Sequence, residues 1–102
     1  MGKKKIKYKD YINSDTPTLV DFYATWCGPC KMMHPVLKDL SKDVKGKAKI
    51  IKIDIDKNQK LAQKLGIRSV PTFIIYKSGK EQWRKSGGMT KEALLKQIDK
   101  VS

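Results

Sequence analysis

The pattern of apolar and polar positions predicts two strands in the first half of the chain. Residues 18–24 carry a single charge, at Asp21, and are otherwise mostly β-branched, aromatic or aliphatic, which is typical of a central strand buried on both faces. In residues 48–55, isoleucines alternate with Lys52 and Asp54, and this alternation predicts a second inner strand. A sheet is therefore expected at the centre of the fold.

The second half of the chain predicts a β-hairpin. Residues 72–76 and 81–85 favour strands, and Ser78-Gly79 between them is a turn signal. Near the start of the chain, residues 5–9 are predicted to form a short edge strand, which a brief helical turn follows as far as Asn13.

Three longer helices are predicted between and after these strands. The longest spans residues 29–44, where apolar residues recur at helical spacing. A shorter helix is capped by Asp56 or Asn58 and ends at Leu65, and Thr90 opens the last helix. Because helices alternate with the first strands, those strands must pair in parallel, while the hairpin adds antiparallel strands. The prediction is an α/β fold with a mixed sheet.

Length and charge limit the classes of protein to which the chain could belong. With 102 residues, of which 39% are hydrophobic, the chain suits one domain over residues 1–102 and is too short for two. No apolar stretch approaches the roughly 20 residues of a membrane helix, and residues 1–8 lack the apolar region of a signal peptide, so a membrane or exported protein is not expected. The net charge is +13, but the lysines are spread along the whole chain without a recognition motif, so a nucleic-acid partner is not expected.

Both cysteines of the chain lie three positions apart, where a predicted strand gives way to a helix. A helix start stabilises a thiolate at Cys27 through unpaired backbone N–H groups, and Cys30 follows one turn later, within disulfide range. A second thiol releases a target that the first has trapped as a mixed disulfide. Gly28 permits a tight bend, and Pro29 suits the first helical turn. The pair predicts electron transfer between sulfurs.

Two further polar residues are candidates for a role in this chemistry. A carboxylate in a buried strand, as at Asp21, is costly unless it is paired or functional, and burial raises its pKa. His34 could bind zinc together with Cys27 and Cys30, but a structural zinc site has four ligands. The chain has no further cysteine or histidine, so no metal is expected.

Three motifs carry a resemblance to a known family. They are the segment from Val20 through Trp26-Cys27-Gly28-Pro29-Cys30 to Lys31, the segment 66–72, and the glycines at positions 79 and 87. On these motifs the chain resembles the thioredoxin family over nearly its whole length. The resemblance implies a mixed sheet of four or five strands with helices on both faces.

The resemblance also implies roles for four residues. Cys27 is expected to be the exposed attacking thiol and Cys30 the buried resolving thiol, which agrees with the argument from the helix start. Asp21 is expected to accept the proton of Cys30, and Lys52, at the matching position of the neighbouring strand, to modulate Asp21. No bound cofactor is expected besides the reversible disulfide between Cys27 and Cys30.

A substrate-binding surface follows from the same likeness. In the family the peptide bond that corresponds to Val70-Pro71 is cis, and the backbone before the proline pairs with an extended segment of the substrate. Gly87 would let that segment approach closely, and Trp26 would offer a flat apolar contact beside Cys27. Gly28 and Pro29 are also expected to contact the substrate. The implied function is a cytoplasmic protein-disulfide reductase whose partners are disulfide-containing proteins and a separate thioredoxin reductase.

Two other functions remain open on the sequence. A disulfide oxidase or isomerase is disfavoured because such members of the family carry a histidine before the second cysteine, where this chain has Pro29. A basic binding module with incidental thiols is the alternative from another class. Binding that survives replacement of both cysteines and weakens steeply with salt would favour the binding module.

Overall fold

The computed structural model describes residues 7–102 and contains one four-stranded sheet. The strands are β1 (Thr18–Tyr23), β2 (Lys49–Asp54), β3 (Thr72–Lys77) and β4 (Lys80–Ser86). They lie in the order β2-β1-β3-β4, with β1 parallel to β2 and antiparallel to β3, and with β3 antiparallel to β4. The predicted mixed sheet and its hairpin are therefore confirmed.

Four helices cover the sheet, and they lie on both of its faces, as the family resemblance implied. They are α1 (Tyr8–Ile12), α2 (Gly28–Asp43), α3 (Gln59–Leu65) and α4 (Lys91–Lys100). Among residues 7–102 no helix is both long and apolar enough to cross a membrane. That one domain extends over all of residues 1–102 stays a prediction.

The face covered by α2 and α4 holds the larger core cluster. Leu19 of β1 and Phe73 of β3 are fully buried there against apolar residues of both helices. The contributing helical residues are Met33, Leu37, Leu40, Leu94 and Ile98. Their spacing along each helix is the one that the sequence pattern indicated, so one stripe of each helix faces the sheet.

The opposite face packs against α1 and α3. Val20 and Phe22 point to this side because successive side chains of β1 alternate between the two faces of the sheet. The same alternation places Leu19 and Asp21 on the face covered by α2. Asp21 is thus the buried carboxylate beneath the helix that carries the cysteines.

Two strand predictions are wrong for the described residues. Residues 5–9 were expected to form an edge strand, but Tyr8 and Lys9 belong to α1, because the Asp10 carboxylate accepts the Lys7 backbone N–H at 3.0 Å and caps a helical turn. Residues 5 and 6 lie outside the described residues. The second strand was expected to be an inner one, yet β2 pairs only with β1 among residues 7–102 and lies at the margin of the sheet.

Strand direction brings four connections to one edge of the sheet. β1 and β2 are parallel, so both end at this edge, whereas the antiparallel β3 begins there and β4 ends there. The segments at this edge are residues 24–27, 55–58, 66–71 and 87–90. The cysteine pair and most of the expected substrate-binding residues are therefore gathered by topology.

Truncation of Leu40 to alanine tests the packing of α2 on the sheet. Leu40 has no exposed surface, so Leu40→Ala removes buried contacts and is expected to lower the free energy of unfolding by about 2–5 kcal/mol. Lys38→Ala, at an exposed position of the same helix, is the matched control and should change it by less than about 0.5 kcal/mol. Urea unfolding of both variants measures the difference, and equal midpoints would contradict the packing.

Candidate active site

Cys27 and Cys30 form a disulfide bond at the start of α2, with their Cα atoms 5.2 Å apart. Cys27 is the N-cap residue of this helix, and its Sγ accepts a hydrogen bond from the Cys30 backbone N–H at 3.1 Å. Gly28 and Pro29 occupy the first two helical positions, where a proline has no N–H bond to lose. The first sulfur therefore lies where an anion is stabilised, as predicted.

Both cysteines are buried, which corrects the expectation of an exposed Cys27. Only 4% of Cys27 and 1% of Cys30 is accessible to solvent. The reason is that Cys27 packs into a small apolar cluster with Ala24 and Val70 at the edge of the sheet. Cys27 remains the more accessible of the two, so the expected order of exposure holds although its magnitude was overestimated.

The loop before β3 lies directly against Cys27. The Val70-Pro71 peptide bond is cis, as the family resemblance implied, and the Val70 carbonyl oxygen lies 3.6 Å from Cys27 Sγ. Among residues 7–102, no backbone hydrogen bond uses the N–H or the C=O of Val70. An extended peptide could therefore pair with this backbone beside the sulfur.

Gly87 directly follows β4, and its backbone is hydrogen-bonded to the same loop. Its N–H donates to the Pro71 carbonyl oxygen at 2.8 Å, and its φ of 95° lies in the region that favours glycine. A side chain at Gly87 would meet nothing within 4 Å, so the glycine is required by its backbone conformation and leaves open space beside the loop. Both properties agree with the expected close approach of a substrate.

Trp26 is the most exposed apolar side chain next to the disulfide. It is 67% exposed, and its indole Nε1–H donates a hydrogen bond to Asp56 Oδ2 at 2.9 Å. The bond fixes the ring at the surface, where a partly polar aromatic side chain suits protein recognition. Sequence reasoning missed Asp56 in this role, because nothing local links two residues that are 30 positions apart.

Asp21 is a buried carboxylate. Only 1% of the residue is exposed, and neither carboxyl oxygen has a hydrogen-bond partner among residues 7–102. Burial raises the pKa of Asp21 to about 6, and the positive charge of Lys52 partly opposes this rise. The carboxyl group can therefore take up and release a proton close to neutral pH, as a proton acceptor requires.

Lys52 lies opposite Asp21 on β2 and is exposed to solvent. Its ammonium group contacts Nδ1 of His34 on α2 and forms no hydrogen bond with the Asp21 carboxylate. The ring of Tyr23 lies edge-on to the His34 ring, with centroids 6.2 Å apart. The sequence favoured a solvated helix histidine over a zinc ligand at His34, which is indeed exposed, but it did not reveal this contact.

Comparisons with known proteins agree on one family. The family model for thioredoxin matches residues 2–100. A thioredoxin of Rickettsia felis is 46% identical over 90% of this chain and 88% of its own length, and one of Pseudomonas aeruginosa is 42% identical over 89% and 84%. The structure of a variant thioredoxin from Halobacterium salinarum superposes with a TM-score of 0.83 at 36% identity, covering 91% of this chain and 80% of that one.

The chain belongs to the thioredoxin family. With its redox-active pair at the start of α2, it is a protein dithiol-disulfide oxidoreductase. No group of three or more metal-ligating side chains occurs within residues 7–102, where Cys27 and Cys30 are joined to each other. Of the residues to which the resemblance assigns substrate binding, Val70 packs against this disulfide and Trp26 directly precedes it in the chain, while their role stays a prediction.

Replacement of Asp21 by asparagine is expected to stabilise the oxidised protein at neutral pH. The folded protein holds a proton on Asp21 up to about pH 6, against an ordinary pKa of 3.8, so the free energy of unfolding falls as pH rises through this window. Asn has no charge to bury, and Asp21→Asn should therefore gain about 2–3 kcal/mol at neutral pH, from about 1.4 kcal/mol for each pH unit.

The gain should vanish below pH 3.8, where Asp21 is protonated in the folded and the unfolded chain alike. Urea unfolding of the oxidised wild type and variant across the acid to neutral range gives the measurement. Asp99→Asn, at an exposed carboxylate of α4, is the control and should show no such dependence. A stability difference that is the same at every pH would refute the assignment.

Proposed function

We propose that this chain reduces disulfide bonds of other proteins in the cytoplasm and that a separate thioredoxin reductase returns it to the dithiol form. The main support for this proposal is the position of the Cys27 sulfur. The Cys27 sulfur caps α2 and lies beside the Val70 backbone, which makes no backbone hydrogen bond with any residue from 7 to 102. A stabilised thiolate and a docking strand for its target thus lie next to each other.

The reaction is expected to begin with the reduced protein. The Cys27 thiolate attacks one sulfur of a substrate disulfide, forms a mixed disulfide and releases the other substrate sulfur as a thiolate that takes a proton from water. The helix N–H that contacts Cys27 Sγ stabilises the attacking anion. The Val70 backbone would hold the substrate as an added strand, with Trp26 as an apolar contact.

The second step frees the substrate. Cys30 gives its proton to Asp21 and attacks Cys27 Sγ, so that the internal disulfide forms and the second substrate thiolate leaves. Two electrons have then passed from the cysteine pair to the substrate. Support for Asp21 as the acceptor comes from its raised pKa, its burial and its position on the sheet face that α2 covers.

The two residues between the cysteines support the proposed reducing direction, and the surface around the disulfide supports the proposed protein substrates. Gly28-Pro29 lacks the histidine that oxidising and isomerising relatives carry before the second cysteine, so the reducing direction is favoured. The surface around the disulfide offers backbone groups, Gly87 and Trp26, which suits many different protein substrates. Regeneration needs a partner that supplies two electrons and two protons.

Serine variants of the two cysteines test the function directly. In an assay of reduction of a model protein disulfide with dithiothreitol as electron source, Cys27→Ser should fall to the uncatalysed rate, because serine cannot attack the disulfide. Cys30→Ser should instead stall as a mixed disulfide with its substrate, which a non-reducing gel detects. Wild-type activity that is no higher than that of Cys27→Ser would reject the reductase.

Asp21→Asn separates the two steps of the reaction. Without an acceptor for the Cys30 proton, release of the substrate should slow by about 10-fold or more at neutral pH, while formation of the mixed disulfide changes little. Rapid-quench measurement of both steps over a range of pH follows the effect, with Asp99→Asn as the surface control. An unaltered pH profile for substrate release would exclude Asp21 as the acceptor.

A further inference from the structure

The contact between Lys52 and His34 bears on the environment of Asp21. Lys52 is the directly registered neighbour of Asp21 across the parallel strands, and paired residues of neighbouring strands point to the same face. Its neighbours Ile51 and Ile53 pack on the other face, which confirms that Lys52 is directed toward α2. The ammonium group is therefore placed where it could form an ion pair with the buried carboxylate.

The structure nevertheless directs that ammonium group to another acceptor. Lys52 Nζ contacts His34 Nδ1, while both oxygens of Asp21 are left without a hydrogen-bond partner among residues 7–102. An ammonium group only donates, so Nδ1 is the acceptor in this contact. His34 follows Cys30 by four positions and so shares its face of α2, which places the acceptor on the side of the helix that faces Asp21.

Among residues 7–102, burial has the larger effect on the Asp21 carboxyl group, and the positive charge of Lys52 opposes it. From β3, Phe73 is the registered neighbour of Asp21. From β1 comes Tyr23, whose ring lies against His34, and from α2 come His34 and the disulfide-bonded Cys30. The position of the Lys52 ammonium group therefore affects how strongly the negative form of Asp21 is favoured.

We propose that His34 is a positioning residue that draws the Lys52 ammonium group away from the Asp21 carboxylate and so keeps the two from forming an ion pair. An ion pair with Lys52 would hold Asp21 as a carboxylate to lower pH and make it a weaker base. The Tyr23 ring supports the imidazole from the strand side. The benefit to catalysis rests on the proposed role of Asp21 in accepting the Cys30 proton.

The test is a titration of the Asp21 side-chain carboxyl carbon by NMR in the oxidised protein, which requires no activity. In His34→Ala the lysine is free to approach Asp21, and the titration midpoint should fall by roughly half to one pH unit. In Lys52→Gln the opposing charge is lost, and the midpoint should rise. The double variant should match Lys52→Gln, because His34 acts only through the lysine.

A conservative variant distinguishes loss of the contact with Lys52 from a general structural effect of replacing His34. In His34→Asn the side-chain oxygen lies near the place of Nδ1 and can accept from Lys52, so the midpoint should stay close to that of the wild type. An unchanged or raised midpoint in His34→Ala would overturn the proposal, as would an equal shift with and without Lys52. A shift as large in His34→Asn as in His34→Ala would also overturn it.

The catalytic consequence is measured separately. The pH profile for release of substrate from the mixed disulfide should move in the same direction and by a similar amount as the Asp21 midpoint in His34→Ala. A shifted NMR midpoint with an unmoved profile would leave the His34 contact intact and contradict the role of Asp21 in proton transfer. An unmoved midpoint in a protein that still reduces disulfides would contradict the His34 contact alone.

Discussion

The placement of the reactive sulfur depends on one interaction, the hydrogen bond from the Cys30 backbone N–H to Cys27 Sγ. It exists because α2 begins where β1 ends, so that the sulfur takes the place of a capping oxygen at a helix start. Parallel pairing of β1 with β2 requires α2 as the crossover between them, and the apolar stripe of the helix anchors it on the sheet. The reactive end of the helix is thereby held at a fixed edge.

Beneath this helix the fold tolerates a destabilising group. Among residues 7–102 the two buried oxygens of Asp21 have no partner, an arrangement that costs free energy and that a neutral side chain would avoid. A pKa near 6 suits the proton transfer proposed for this residue. Lys52, which could pair with the carboxylate, contacts His34 instead. The proposed role of Asp21 gives a reason for this cost in stability.

The proposed recognition of substrates would depend on backbone as much as on side chains. The peptide groups of Val70 make no backbone hydrogen bond within residues 7–102, the Gly87 N–H fixes the loop through the Pro71 carbonyl, and Trp26 is held at the surface by Asp56. These residues come from the four connections that meet at one edge of the sheet. A surface of this kind suits the proposed binding of an extended segment with an accessible disulfide, and it would place little demand on the side chains of that segment.

The letters of the chain were enough to predict most element types, the sheet of mixed direction and the position of the reactive pair, because periodicity, turn signals and the short spacing of Cys27 and Cys30 act locally. Residues 8 and 9 are the exception, since they were predicted as strand and belong to α1. The sequence also indicated Asp21 as a candidate functional residue, since it is the one charged residue in an otherwise uncharged predicted strand. Only the tertiary structure decided that Cys27 is nearly as buried as Cys30, that Trp26 bonds to Asp56 and that Lys52 contacts His34. Those contacts join residues far apart in the chain, and such distances are set by packing, which no local pattern records.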